Sequence, residues 1–223
     1  MKRILPVVPI SALLAVSCIA GFDRTVSDFT QGPLPFRLEA GSMEVPAEFL
    51  SNGGGACEIA NIGCQDSPCP AETTQCSALG VCLLEPRAVL SREVDIGYAY
   101  DPGSVRVDSV GIRGLDGVVT ASDLNFDLEA VRILWAPVEA PWGGDARIIG
   151  TAGSIAAGAP PGSVQIVTDA DGLSGLQGWL ETEPTFRIFV EFVAVLDPGH
   201  PCPEGALDLD LSISFRLVGE PLG

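Results

Sequence analysis

After Lys2 the chain has no lysine, and His200 is its one histidine. Lys and Arg total 12 against 29 Asp and Glu, a formal net charge of -17. A surface this acidic repels phosphate backbones, which argues against nucleic acid as a partner. The single histidine confines any Ser-His-Asp chemistry to His200, and no Gly-x-Ser-x-Gly elbow accompanies it. Long apolar runs are also missing beyond the N-terminus. The most apolar later stretch, Thr185 to Leu196, is interrupted by Arg187 and Glu191, so nothing there reads as a membrane-spanning helix. Charged residues are only 18% of the chain and aromatic residues 6%, while 47% is hydrophobic. That supports one core-bearing domain and excludes disorder as the main state. With Gly 26 and Pro 18, turns are frequent and many short strands are expected.

The N-terminus has its own pattern. Lys2 and Arg3 precede an apolar run from Ile4 to Ala20 that holds Pro6 and Pro9, and polarity begins at Asp23. This is the pattern of a secretory signal peptide, with two prolines unsuited to a spanning helix. The run closes with Leu14-Ala15-Val16-Ser17-Cys18, which resembles the lipobox of bacterial lipoproteins, although Ala15 stands where Leu is commoner. The resemblance implies cleavage of residues 1–17 and diacylation of Cys18 on sulfur, usually followed by acylation of its new amine. Two or three acyl chains, at about 0.8 kcal/mol per buried methylene, hold a protein on a membrane essentially permanently. Ile19 and Ala20 stand where inner-membrane lipoproteins of enteric bacteria carry Asp, so the resemblance favours the outer membrane.

Six cysteines remain: Cys57, Cys64, Cys69, Cys76, Cys82 and Cys202. An even number in an exported chain implies a disulfide framework with 15 possible connectivities. Five of the six lie between Gly53 and Leu83, a segment too poor in large apolar residues to build its own core. If all six pair, one of these five must reach Cys202. Zinc is disfavoured, because its ligands come in pairs two to four residues apart, whereas the gaps between the first five cysteines are six, four, six and five residues and His200 is the one histidine. The segment faintly resembles the short cysteine-rich modules of exported bacterial proteins, which implies a spacer or display element.

The expected organisation is a signal peptide over 1–17, a tether over 18–33, first strands over 34–52, a cysteine-rich disulfide segment over 53–86 and a β-sandwich domain over 87–223. Leu34 to Glu39 and Glu44 to Phe49 carry brief alternation. Val94, Ile96, Tyr98 and Tyr100 alternate with smaller or polar residues, and Asp101-Pro102-Gly103-Ser104 then turns the chain. Val105 to Ile112 predicts a strand with a bulge between 107 and 110, and Val118 to Thr120 a short one. A long bent strand is expected through Leu124, Phe126, Leu128, Val131, Ile133 and Trp135. Arg147 to Thr151 and Val164 to Val167 add strands. Leu173, Leu176, Trp179 and Leu180 fit a short amphipathic helix over 171–181. Phe186 to Leu196 and Leu207 to Leu217 each alternate through six apolar positions, and their pairing as a long antiparallel hairpin across 197–205 is expected. The sum is an antiparallel β-sandwich of about seven or eight strands with one short helix and a disulfide-rich segment.

Candidate chemistry is sparse. Asp208 and Asp210 alternate on the outer face of a strand and read as solvated surface. Asp123-x-Asn125-x-Asp127 has the spacing of the first three EF-hand ligands, but Leu128 and Leu134 occupy the positions that need Gly and Glu. Asp169-x-Asp171-Gly172 fits a turn and helix N-cap better than a calcium loop. No catalytic, metal or cofactor residue is assigned. The expectation is a lipid-anchored envelope protein that binds or scaffolds an envelope protein or glycan. The alternatives are a carboxylate-based glycan hydrolase and a carrier with an apolar ligand between its sheets.

Overall fold

The computed structural model describes residues 25–51, 57–65, 68–69, 74–97 and 105–221. Cys18, Tyr98, Tyr100 and the turn expected at 101–104 lie outside these residues. The strands are β1 (Thr25–Glu39), β2 (Leu50–Ser51), β3 (Glu58–Ile59), β4 (Thr74–Cys76), β5 (Cys82–Leu84), β6 (Arg87–Asp95), β7 (Val105–Ser122), β8 (Leu128–Ala136), β9 (Arg147–Ala152), β10 (Gly162–Val164), β11 (Ile166–Thr168), β12 (Thr185–Ala194) and β13 (Ala206–Pro221), with one α-helix, α1 (Ala170–Leu180). A four-stranded sheet in the order β1-β13-β7-β10 faces a five-stranded sheet in the order β11-β9-β8-β12-β6. Every pairing is antiparallel. The architecture is the expected sandwich, with nine strands in its two sheets.

Alternation explains the four-stranded sheet. Leu34, Phe36 and Leu38 of β1 face Leu211, Leu209 and Leu207 of β13 across the ladder, and all six are buried. The outer face of the same ladder is polar. Asp28 stands opposite Arg216, Thr30 opposite Ser214 and Arg37 opposite Asp208. β7 is continuous from Val105 to Ser122, where two shorter strands were expected. Its register with β13 skips Asp108, Arg113 and Thr120. The first skip is the bulge expected between 107 and 110.

The five-stranded sheet is buried on both faces at its centre. Phe186, Ile188, Val190, Phe192 and Ala194 of β12 fill the interior, and Phe189, Glu191 and Val193 on the reverse are buried as well. Leu134, Ala136 and Ala140 pack with Phe189 on that reverse face, and the Trp142 ring lies 5.3 Å from its ring. Within the sheet β12 lies between β6 and β8.

This overturns the expected hairpin. β12 and β13 belong to different sheets, and 197–205 carries the chain from one to the other. Gly205, with φ +95, turns into β13 so close to Asp123 O that a Cβ would lie 2.3 Å from it. Other corrections are local. β1 starts at Thr25, within the expected tether, and Glu44 to Phe49 forms no strand but a loop ending in a 3-10 turn at Ala47–Phe49. β8 starts at Leu128, while Leu124 and Phe126 are buried within the connection before it. Val164 and Ile166 lie in strands of different sheets, with Gln165 at the crossing.

The helix begins where Asp169 caps it, its side chain accepting the Gly172 N–H at 2.8 Å. Leu176 and Leu180 are buried. Trp135 Nε1 donates to Gly172 O at 3.0 Å, so the first turn lies directly on β8 and β9. Among the described residues no helix is long and apolar enough to cross a membrane.

Candidate functional site

Three disulfides organise the cysteine-rich segment: Cys57–Cys202, Cys64–Cys76 and Cys69–Cys82. The parity argument left five partners open for Cys202, and the structure joins it to Cys57. Around that bridge the loop is zipped to β3. Ile59 N–H donates to His200 O at 2.7 Å, Gly199 N–H to Ile59 O at 2.7 Å and Cys202 N–H to Cys57 O at 3.1 Å. Leu84 of β5 exchanges backbone hydrogen bonds with Leu196 at 3.2 and 2.8 Å. The segment thus docks on the end of the sandwich. The Sγ atoms of Cys64, Cys69 and Cys82 lie within 4.8 Å of one another, but as disulfide sulfurs they offer no thiolate to a metal. Three disulfides suit an oxidising, exported setting.

The run with calcium-loop spacing has another use. Asp123 Oδ1 accepts from Ala206 N–H at 2.5 Å. Asn125 receives Glu204 N–H on Oδ1 at 2.8 Å and donates from Nδ2 to Cys202 O at 2.9 Å. Asp127 Oδ1 accepts from Ala157 N–H at 2.7 Å. Each side chain saturates backbone groups of a neighbouring loop, two of them in or beside the loop that holds Cys202. The sequence motif is therefore a clasp. His200 is half-buried, with Nδ1 2.7 Å from Pro201 O, and no serine or carboxylate hydrogen-bonds it among the described residues.

Glu191, which the sequence analysis did not single out, is the one buried charged side chain among the described residues. Arg132 reaches its Oε2 at 2.9 Å and Arg87 its Oε1 at 3.4 Å. Two guanidinium groups neutralise it, which is the condition for keeping a carboxylate inside a sheet. The only signal in the sequence was a charge within an otherwise apolar strand. Asp208 is engaged by Arg37 Nη1 at 3.1 and 2.9 Å on the outer ladder. Glycoside hydrolysis requires two carboxyl groups facing across a substrate, and Asp208 lies on the outer face of one sheet while Glu191 lies in the other. Elsewhere on that ladder, hydrogen bonding to Arg216 lowers the pKa of Asp28 below its ordinary value, and Arg216 is raised in turn.

Among the described residues, one feature with room for a ligand is a cleft of about 580 Å³, lined by Val119, residues 153–156, residues 159–165 and Val167. Its outer wall is the Gly, Ala and Pro-rich loop between β9 and β10, which has no periodicity in sequence. The wall is nevertheless fixed. Ile155 and Leu128 exchange backbone hydrogen bonds at 2.9 Å, Gly158 N–H donates to Leu124 O at 2.9 Å, and Asp127 holds Ala157. None of the lining residues carries a charge. Phe49, Phe126, Phe186, Phe192 and Phe215 of the core are fully buried. No known protein family matches this chain, and no curated protein is significantly similar to it.

Proposed function

We propose that the protein is an exported bacterial lipoprotein, held on the outer membrane by acyl chains on Cys18, whose disulfide-stapled sandwich binds or scaffolds another envelope component without catalysing a reaction. The residues Leu14 to Cys18 support the anchor. The observation that supports binding over chemistry is the cleft of about 580 Å³, lined mostly by apolar residues with Ser154, Ser163 and Gln165 among them, and free of ionisable groups. A site with no acid, base or nucleophilic partner pair can hold a ligand, and it has no means of moving a proton. The fully buried phenylalanines of the core do not favour a carrier with its ligand between the sheets. The test of the anchor is a Cys18→Ser variant followed through cell fractionation with labelled palmitate. The parent should take up label and sediment with membranes, and the variant should do neither. A variant that sediments like the parent, or a parent without label, would refute the anchor.

A further inference from the structure

We infer that the cleft beside β10 and β11 receives an extended, uncharged segment of a partner protein, flanked by basic residues, which adds to the open sheet edge there. The inference rests on the binding reading above and names its ligand. β10 ends one sheet and β11 ends the other, so each has a strand neighbour on one side only. Folded proteins guard such edges with charges, prolines or covering contacts, or keep them very short.

The opposite side of the sandwich is guarded. β1 carries Pro33, Pro35, Arg37 and Glu39, β6 carries Arg87, Arg92, Glu93 and Asp95, and Arg92 Nε closes the gap by donating to Pro35 O at 2.7 Å. β10 and β11 read Gly-Ser-Val and Ile-Val-Thr and carry neither charge nor proline. Val167 of β11 is 68% exposed, and Val118 of β7, opposite Ser163 of β10, is 40% exposed.

The chemistry of the occupant follows. The lining bears no charge, so a charged side chain inside the cleft would lose water and gain no partner. Gly153, Ala156, Ala159 and Gly162 keep the walls low enough for a backbone to approach, and β10 and β11 each have one side without a strand neighbour to which an incoming strand can add. None of the acids lines the cleft, and beyond it the chain is strongly acidic, with 29 Asp and Glu against 12 Lys and Arg, which attracts basic residues on either side of the bound segment.

The test is selection of displayed random peptides of about nine residues on the full chain purified from membranes, in parallel with Val167→Lys, which places on this edge the charge that other edges carry. The parent should enrich peptides with small or β-branched uncharged centres and Lys or Arg ends. A synthetic version should bind at least about tenfold more weakly to Val167→Lys. An N-methylated version, which loses its backbone donors, should weaken similarly. Unchanged thermal stability of Val167→Lys is expected from the exposure of that side chain. The inference is overturned if nothing is enriched over Val167→Lys, if the N-methylated peptide binds as well as its parent, if palmitate competes for the cleft, or if the only species seated there is a second copy of the chain. The same peptide binding to exported Cys18→Ser protein is expected, so loss of the anchor and loss of the cleft ligand are separate results.

Discussion

Cys57 and Cys202 are 145 residues apart in sequence, and their disulfide brings their Cα atoms to 5.4 Å. Between them lie both sheets except β1 and β13, so this bond joins the cysteine-rich segment to the crossing that leads into the last strand.

Removing that bond should cost more than removing either local one. A loop this long gives a disulfide about 2–5 kcal/mol of stabilisation. The double variant Cys57→Ser/Cys202→Ser should unfold at clearly lower urea concentration than the parent, and a non-reducing peptide map should recover Cys57 bound to Cys202. Equal urea midpoints would show that the docking is held without the disulfide.

The clasp makes a prediction about calcium. Asp123, Asn125 and Asp127 already spend side-chain oxygens on Ala206, Glu204 and Ala157. Millimolar calcium should leave the melting temperature unchanged, because a ligand that binds only the native state would raise it. Asn125→Ala, which abandons two loop hydrogen bonds, should cost about 1–3 kcal/mol. Calcium-dependent stabilisation would contradict the clasp.

Two glycines of α1 should respond oppositely to alanine. At Gly172 a Cβ would lie 1.7 Å from Ile148 O, a backbone atom that cannot step aside, whereas at Gly178 there is nothing within 4 Å. Gly178→Ala should stabilise by about 0.5–1 kcal/mol through helix propensity. Gly172→Ala gains the same propensity and should still lower the melting temperature, because the first turn must lift from β9.

The ladder between the first and last strands sets a pH dependence. Arg216 Nε and Nη2 donate to the two carboxylate oxygens of Asp28 at 2.7 and 2.9 Å. Asp28 therefore titrates below its ordinary value. A carboxylate lowered by folding contributes stability above its unfolded pKa and loses it as pH falls through the folded one. Asp28→Asn should melt below the parent at pH 7, and the gap should close as the pH falls below about 4. High salt should narrow it too, since the pair is exposed. A gap that widens on acidification would contradict the pairing.

Much of the fold was legible in the residues. Period-2 alternation marked β12 and β13, the break at Asp108 marked a bulge, and Asp169 marked the start of the helix. Partner choice was less legible, because alternation says which face is buried and not which strand lies alongside. The clue was present: Phe189 and Val193 make β12 apolar on both faces, which fits a central strand, whereas Asp208, Asp210 and Arg216 give β13 a wet face. Two such different strands suit different sheets. The cleft was illegible for another reason. Its wall at 152–163 owes its shape to hydrogen bonds with Leu124, Asp127 and Leu128, and small residues without periodicity carry no trace of distant partners.

The most direct test of the central claim is the intact mass of the protein extracted from membranes without reductant. The expected species begins at Cys18, is heavier than the polypeptide by two or three acyl chains, and is lighter by two hydrogens for each of the disulfides Cys57–Cys202, Cys64–Cys76 and Cys69–Cys82. A chain that begins elsewhere, or begins at Cys18 without acyl groups, would contradict the anchored, exported protein described above.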